Sequence, residues 1–207
     1  MKIEKFVLGP VGTNCYIVRN DETKECFLVD LAACPPELIS HIRGAGLSVK
    51  AVLLTHGHFD HIMGLDRFSE EFPVPVYACE DERELLSDPR LNSSLSMIGQ
   101  RYAFDGAQYV KDSDVLDIAG MKIRVAATPG HTSGGCCYYI EEEGVLFSGD
   151  TLFHGSIGRT DLPTGSMSLL VRSVQEKLFV LPDETKVYPG HMEETTIGYE
   201  KKYNPFF

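Results

Sequence analysis

No apolar run in this 207-residue chain approaches the ~18 residues a membrane-spanning helix needs, so a transmembrane segment is excluded. The N-terminus, MKIEKFVLGP, alternates polar and apolar residues. It lacks the basic start and apolar middle of a secretory signal, so the expected location is cytoplasmic. A basic surplus is missing too: 30 Asp and Glu stand against 19 Lys and Arg, a formal charge of −11. Nucleic-acid phosphates and anionic membranes would find no cationic surface, and neither is expected as a partner. A small anionic substrate stays open, because a bound cation reverses the field locally. Paired CxxC motifs are absent. The six cysteines, at 15, 26, 34, 79, 136 and 137, form no disulfide or zinc framework and read as free, mostly buried thiols. Cys136 and Cys137, being adjacent, would face opposite sides of a strand.

Repeats, low-complexity tracts and linkers are likewise lacking. What is present is 43% hydrophobic and 24% charged residues, enough to bury a core, in one domain over 1–207. Short strands are predicted over 2–8, 14–19 and 26–30, then a helix opened by Pro35-Pro36 and ended by Gly44. A buried strand covers 49–55, a helix 61–71, a strand 74–78 and a helical turn 80–87. Residues 88–111 read as a long irregular connection. The second half follows the same pattern, with strands at 114–118, 121–127, 136–141 and 144–148, a helix over 166–180 and a strand at 185–188. Strand blocks followed by helices, twice, suggest two packed sheets with helices outside.

The chemistry concentrates after the strand 49–55, in Thr55-His56-Gly57-His58-Phe59-Asp60-His61. On extended backbone His56 and His58 place both rings on one side, while Asp60 and His61 enter a turn and can serve a neighbouring position. Three more ligand types follow one device, in which a turn halts a strand and aims the next side chain off the sheet edge. Thr128-Pro129-Gly130 precedes His131, Gly149 precedes Asp150, and Pro189-Gly190 precedes His191. Nitrogen and carboxylate donors without cysteine suit Zn²⁺, with Fe²⁺ or Mn²⁺ as alternatives. Counting favours two divalent ions: one on His56, His58 and His131, a second on Asp60, His61 and His191, with Asp150 bridging. Each then keeps a position open for water, as catalysis requires.

HxHxDH, a later His, an Asp and a final His, in that order, resemble the metallo-β-lactamase superfamily. The resemblance covers most of the chain and implies an α+β fold, a four-layer αββα sandwich with the metals at one edge of the two sheets. Within the superfamily the sequence is similar to hydroxyacylglutathione hydrolases (glyoxalase II) and their compact bacterial relatives. Gly149-Asp150-Thr151-Leu152-Phe153 matches their GDTLF stretch, and Gly155–Asp161 and the tail Lys201–Phe206 match the compact type. The activity implied is metal-dependent hydrolysis of a small acyl-thioester, such as a hydroxyacylglutathione, by a metal-bridging hydroxide. Asp60 and Asp150 are then the catalytic carboxylates, Asp60 orienting the water. Arg159 stands where relatives carry a basic residue that contacts substrate, which implies an anionic thioester.

The larger relatives use a helical C-terminal domain to hold glutathione. Only 16 residues follow His191, so a pocket made from 88–111 and 152–166, or completed by a partner subunit, is expected. Ser133-Gly134 replaces a frequent Pro-Gly, which implies a changed turn with ligation intact. Thr55, Thr132 and Thr151 are candidate supports of the ligands. His154 reads as a rim residue and His41 as a helix C-terminal one. Tyr199, Lys201, Lys202 and Tyr203 are either substrate contacts or a surface tail.

Persulfide dioxygenases resemble the Gly158-Arg159-Thr160-Asp161 stretch and would use a single Fe²⁺ on two His and one Asp, here His56, His131 and Asp150 or a similar subset. Di-iron electron-transfer relatives put an acid where His58 stands, and a β-lactamase would be expected to carry a secretion signal. A purely structural metal module fits poorly with seven potential ligands around open positions.

Overall fold

The structure, a computed structural model, describes residues 1–207. The chain opens as an antiparallel meander of β1 (Lys2–Leu8), β2 (Thr13–Arg19) and β3 (Glu25–Val29). Helix α1 (Pro36–Gly44) begins with proline in its first turn, where a missing N–H leaves no bond unmade. It returns the chain to β4 (Ser48–Leu53), parallel to β3. Two short helices, α2 (Phe59–Ile62) and α3 (Leu65–Glu71), lead to β5 (Val76–Cys79). After α4 (Arg83–Ser87) and α5 (Ser94–Ile98), β6 (Ala107–Val110) closes a six-stranded sheet in the order β1-β2-β3-β4-β5-β6.

The second half builds β7 (Val115–Ile118), β8 (Met121–Ala127), β9 (Cys136–Ile140) and β10 (Val145–Gly149) as an antiparallel run. A two-stranded hairpin follows, β11 (Leu152–Phe153) with β12 (Ser156–Ile157). Helix α6 (Met167–Ser173), capped by the Ser166 hydroxyl, widens into a π-helical turn over Val174–Leu178. Strand β13 (Lys186–Pro189) pairs parallel to β10, and β14 (Thr195–Thr196) precedes α7 (Ile197–Tyr203). This sheet runs β14-β13-β10-β9-β8-β7.

Strand alternation divides the apolar residues into three layers. On β2, Cys15 and Ile17 face α1 and α3, whereas Tyr16 and Val18 face the opposite sheet. On β9, Cys136, Tyr138 and Ile140 join that inter-sheet core, while Cys137 and Tyr139 pack beneath Leu170, Val174 and Leu178 at helical i, i+4 spacing. Three apolar layers require four layers of elements, so the architecture is the expected αββα sandwich. All six cysteines are buried free thiols. No helix is long and apolar enough to cross a membrane.

The two sheets are stitched along one edge. Asn14 N–H donates to the Gly190 carbonyl (2.7 Å) and Cys136 N–H to the Thr55 carbonyl (2.8 Å). The Tyr16 and Tyr138 hydroxyls donate to the Pro189 and Leu54 carbonyls, at 2.7 and 2.8 Å.

Some elements depart from the sequence expectation. The single helix over 61–71 is two helices broken at Met63-Gly64. There the chain pairs with the end of β3: Gly64 N–H donates to Leu31 C=O and Leu31 N–H to His61 C=O. A Cβ at Gly64 would lie 2.6 Å from the Ala33 carbonyl carbon, so only glycine allows the approach. The connection 88–111 contains α5 and β6. The hairpin β11–β12, strand β14 and helix α7 are additional elements.

Candidate active site

The seven candidate ligands converge at the stitched edge. His56, His58, Asp60 and His61 leave the end of β4, and His131 follows the turn after β8. Asp150 follows β10 directly, where Gly149 turns at φ +49°, and His191 follows β13. Donor atoms gather in three overlapping groups, each within 4.8 Å: His56, His58 and His131; His56, His61 and Asp150; and Asp60, His61 and His191. His131 Nε2 lies 3.2 Å from His56 Nε2 and 2.9 Å from His58 Nδ1. Nitrogen ligands bonded at about 2.0–2.1 Å to one tetrahedral ion sit about 3.3 Å apart, so this spacing suits a shared cation. Asp150 spans the groups, with Oδ1 3.5 Å from His61 Nε2 and Oδ2 3.6 and 3.5 Å from the Nε2 atoms of His131 and His191. A Cβ at Gly190 would lie 2.3 Å from Asp150 Oδ1 and 2.7 Å from His61 Cε1, so glycine keeps this centre open.

Outward hydrogen bonds orient the rings. His131 Nδ1 donates to the Arg159 carbonyl (2.7 Å), which leaves Nε2 as the lone-pair side of that ring, and His61 Nδ1 donates to Asp30 Oδ2 (2.8 Å), which turns its Nε2 toward the centre. His61 Nε2 and Asp150 Oδ1, 3.5 Å apart, are buried without hydrogen-bond partners. Orphaned buried donors and acceptors of this kind are rare, and here they share a centre, as metal ligands do. Burial, reinforced by the neighbouring rings, drives the His56 and His58 pKa values well below the usual imidazole range, and burial lowers His131 as well. These three rings are neutral and ligand-ready. Around His61 the balance reverses. Burial alone would lower its pKa, but the carboxylates of Asp30, Asp60 and Asp150 outweigh that and raise it to about 10. Burial also opposes ionisation of Asp60, yet His61 and His191 hold its carboxyl below the usual range. That side of the centre demands positive charge. The residues therefore fit divalent cations, and the cluster is able to bind metal ions.

A cleft of about 400 Å³ opens onto the ligand atoms, with His58, Asp60, His131, Asp150 and His191 among its lining. The chain matches the family model of the metallo-β-lactamase superfamily over residues 8–191. It belongs to that superfamily. Across its full length it is 37% identical to the Bacillus subtilis (strain 168) protein YqgX, described as a probable metallo-hydrolase, covering 97% of that protein. It is 32% identical to the Haemophilus influenzae hydroxyacylglutathione hydrolase GloC, covering 98% of it. Among solved structures, BLEG-1, described as a B3 metallo-β-lactamase, is 40% identical with a TM-score of 0.94, each chain covered to 99%. The di-iron-bound form of TTHA1623 is 33% identical with a TM-score of 0.85, over 99% of this chain and all of that one. Membership of this metallo-hydrolase family accords with a metal-ligand cluster that opens to solvent.

Three contributors escaped sequence reading. Asp30, buried at the end of β3, accepts from the Thr55 backbone N–H (2.8 Å), the Thr55 hydroxyl (2.7 Å) and His61. It uses the same device, a strand that stops and presents an acid, so the signal was there in Phe27-Leu28-Val29-Asp30. Glu82, 1% exposed, accepts from Gly57 N–H (2.8 Å) with Oε1, and from Gly134 N–H (2.9 Å) and the Thr132 hydroxyl (3.2 Å) with Oε2. It ties the loop carrying His56 and His58 to the loop carrying His131, and nothing in the sequence marked it. Thr13 donates its hydroxyl to Asp60 Oδ2 (3.1 Å).

Arg159 borders the cleft, but its guanidinium forms a solvent-exposed two-pronged pair with Asp161 (2.7 and 2.7 Å). Its backbone carbonyl, by contrast, orients His131. His154 stacks on Tyr199, and His41 lies 3.0 Å from Glu4, distant from the ligand groups. Tyr199, Lys201, Lys202 and Tyr203 do not line the cleft, and Lys201 pairs with Asp183 (2.6 Å).

Proposed function

We propose that this metallo-hydrolase-family chain hydrolyses small acyl-thioesters. The observation that carries the reading is a pair of donor trios, joined through Asp150, that face one open cleft. His56, His58 and His131 would hold one divalent cation, and Asp60, His61 and His191 a second, with Asp150 between them. Zn²⁺ is the first candidate, with Fe and Mn as alternatives, iron being the metal held by the TTHA1623 relative. When bound, such ions supply hydroxide near neutral pH and a Lewis acid for a carbonyl oxygen.

The chain's own residues supply position. Asp30 and the Arg159 carbonyl fix the rings of His61 and His131. Asp60, steadied by Thr13, presents its carboxylate beside His191 (3.3 Å) and would orient a water there. A thiol with a pKa of about 8.5 leaves as thiolate and needs no general acid, so a thioester asks less of the lining side chains than an amide does. β-Lactam hydrolysis is the second reading, favoured by the 40% identity to BLEG-1.

The test reconstitutes the full chain with Zn²⁺, Fe²⁺ or Mn²⁺. It measures metal per chain and turnover of lactoylglutathione, N-acetylcysteamine thioesters and a chromogenic cephalosporin, with oxygen uptake on glutathione persulfide. Thioester turnover with two ions bound is expected. Cephalosporin turnover alone, or oxygen uptake by a one-iron protein, overturns the reading.

A further inference from the structure

Among the outer ligands, His191 is held differently from the rest. Asp30 turns the ring of His61, and the Arg159 carbonyl turns that of His131. His191 meets Asp60 and Asp150 through Nε2 alone, at 3.3 and 3.5 Å. With no partner of the chain behind the ring, its aim depends on the main chain that carries it.

That main chain is gripped by one side chain. Asn14, 2% exposed at the start of β2, directs three donors at the turn after β13. Its backbone N–H donates to the Gly190 carbonyl (2.7 Å), and its carboxamide Nδ2 to the carbonyls of Pro189 (2.9 Å) and Met192 (3.0 Å). Both amide hydrogens are thus used, on carbonyls that lie either side of His191. Met192 stands at φ +68°, a left-handed backbone that a residue other than glycine keeps only under constraint. The bond from Asn14 to its carbonyl is such a constraint.

The preceding residue serves the same cation position from the other side. Thr13 and Asn14 are neighbours on a strand, so their side chains leave opposite faces. Thr13 reaches Asp60 Oδ2 on α2 (3.1 Å), while Asn14 reaches the turn that belongs to the second sheet. The two atoms steadied in this way, Asp60 Oδ2 and His191 Nε2, lie 3.3 Å apart.

We infer that Asn14 is the positioning residue of the second cation site. It fixes the backbone around His191 so that Nε2 faces Asp60, and the trio of His56, His58 and His131 does not depend on it. The inference rests on the two-cation reading above, in which Asp60, His61 and His191 share an ion.

The experiment loads the full chain with Cd²⁺, follows one cadmium NMR resonance per bound ion and takes affinities from chelator competition. Asp60→Ala, which removes a ligand, identifies the resonance of the second ion. Asn14→Ala weakens that ion about ten- to hundredfold and leaves the other in place. Asn14→Ser, with one donor instead of two, shows the same selectivity with a smaller loss. Tyr16→Phe separates positioning from the stitching of the sheets, because the Tyr16 hydroxyl also donates to the Pro189 carbonyl (2.7 Å). It leaves both affinities unchanged. In the Asn14→Ala background, Met192→Gly recovers part of the lost affinity, since glycine takes up φ +68° without strain. Unchanged affinity in the Asn14 variants, equal weakening of both ions in a folded variant, or the same selective loss in Tyr16→Phe overturns the inference. A parent chain with a single cadmium resonance overturns the two-cation reading and the inference with it. Two resonances and the expected Asn14 effect without thioester turnover remove the hydrolase reading alone.

Discussion

Asp30 Oδ2 lies 2.8 Å from His61 Nδ1, and Asp30 reaches it from a left-handed backbone at φ +56°. Non-glycine residues adopt that conformation at a cost of about 1 kcal/mol or more, so the surrounding bonds must hold it. The carboxylate has three donors aimed at it, and an amide can satisfy fewer. Asp30→Asn, which tolerates the same backbone, should weaken cation binding about ten- to hundredfold. Competition with a chromogenic chelator measures this, and an unchanged affinity would detach Asp30 from the centre.

Asp150 is the one side chain within 3.6 Å of His61, His131 and His191 together. Asp150→Ala should reduce bound cations per chain to one or fewer and lower kcat by about a hundredfold or more. Elemental analysis alongside turnover decides it. Full metal content with unchanged kcat would contradict the assigned geometry.

Glu82 should carry a large share of local stability. Its removal in Glu82→Ala leaves Gly57 N–H, Gly134 N–H and the Thr132 hydroxyl without their buried acceptor. The expected loss is on the order of 3 kcal/mol in denaturant unfolding.

The same residue gives a pH signature. Burial raises its carboxyl from 4.5 to about 7, against the opposing pull of Gly57, Thr132 and Gly134. A folded pKa above the unfolded one means that the contribution is full below pH 4.5 and is lost as pH rises through about 7. Glu82→Gln cannot titrate. The stability of the parent relative to this variant should therefore fall from pH 4.5 to 7 with a slope of up to about one proton. Parallel curves over that window would remove Glu82 as the titrating group.

The thiols should be silent in the native state. Burial raises Cys137 to about 11 and Cys26 to about 12, so thiolate is scarce at pH 8. A disulfide reagent at that pH should react slowly with folded protein and should titrate all six thiols after unfolding. Rapid labelling of the native chain would show that the packed layers open readily.

Much of the site was legible because its logic is local. A strand that ends in a turn announces the residue after it, which is how His131, Asp150 and His191 stand out, and the alternation in His56-Gly57-His58 fixes their common side. The sandwich followed from strand and helix blocks. What was hidden is non-local or carried by the main chain. The helix break at Gly64 exists because Leu31 pairs there. Arg159 contributes a carbonyl, which its side chain does not advertise. Glu82 acts through two backbone N–H groups more than twenty residues away in either direction. Helix α7 reads as a surface tail, yet buried Glu200 accepts from Gly155 N–H (3.0 Å), and Asn204 donates to the Ser156 carbonyl (3.0 Å), gripping the β11–β12 hairpin.

The bonds from Asn14, Tyr16, Cys136 and Tyr138 across the two sheets are gathered on the ligand side. At the opposite strand ends a single side-chain bond, from the Asn20 amide to the Ala119 carbonyl (3.1 Å), joins the sheets, so the ligand side is the more firmly bound border. Amide protons of Asn14 and Cys136 should therefore be among the last to exchange with deuterated solvent.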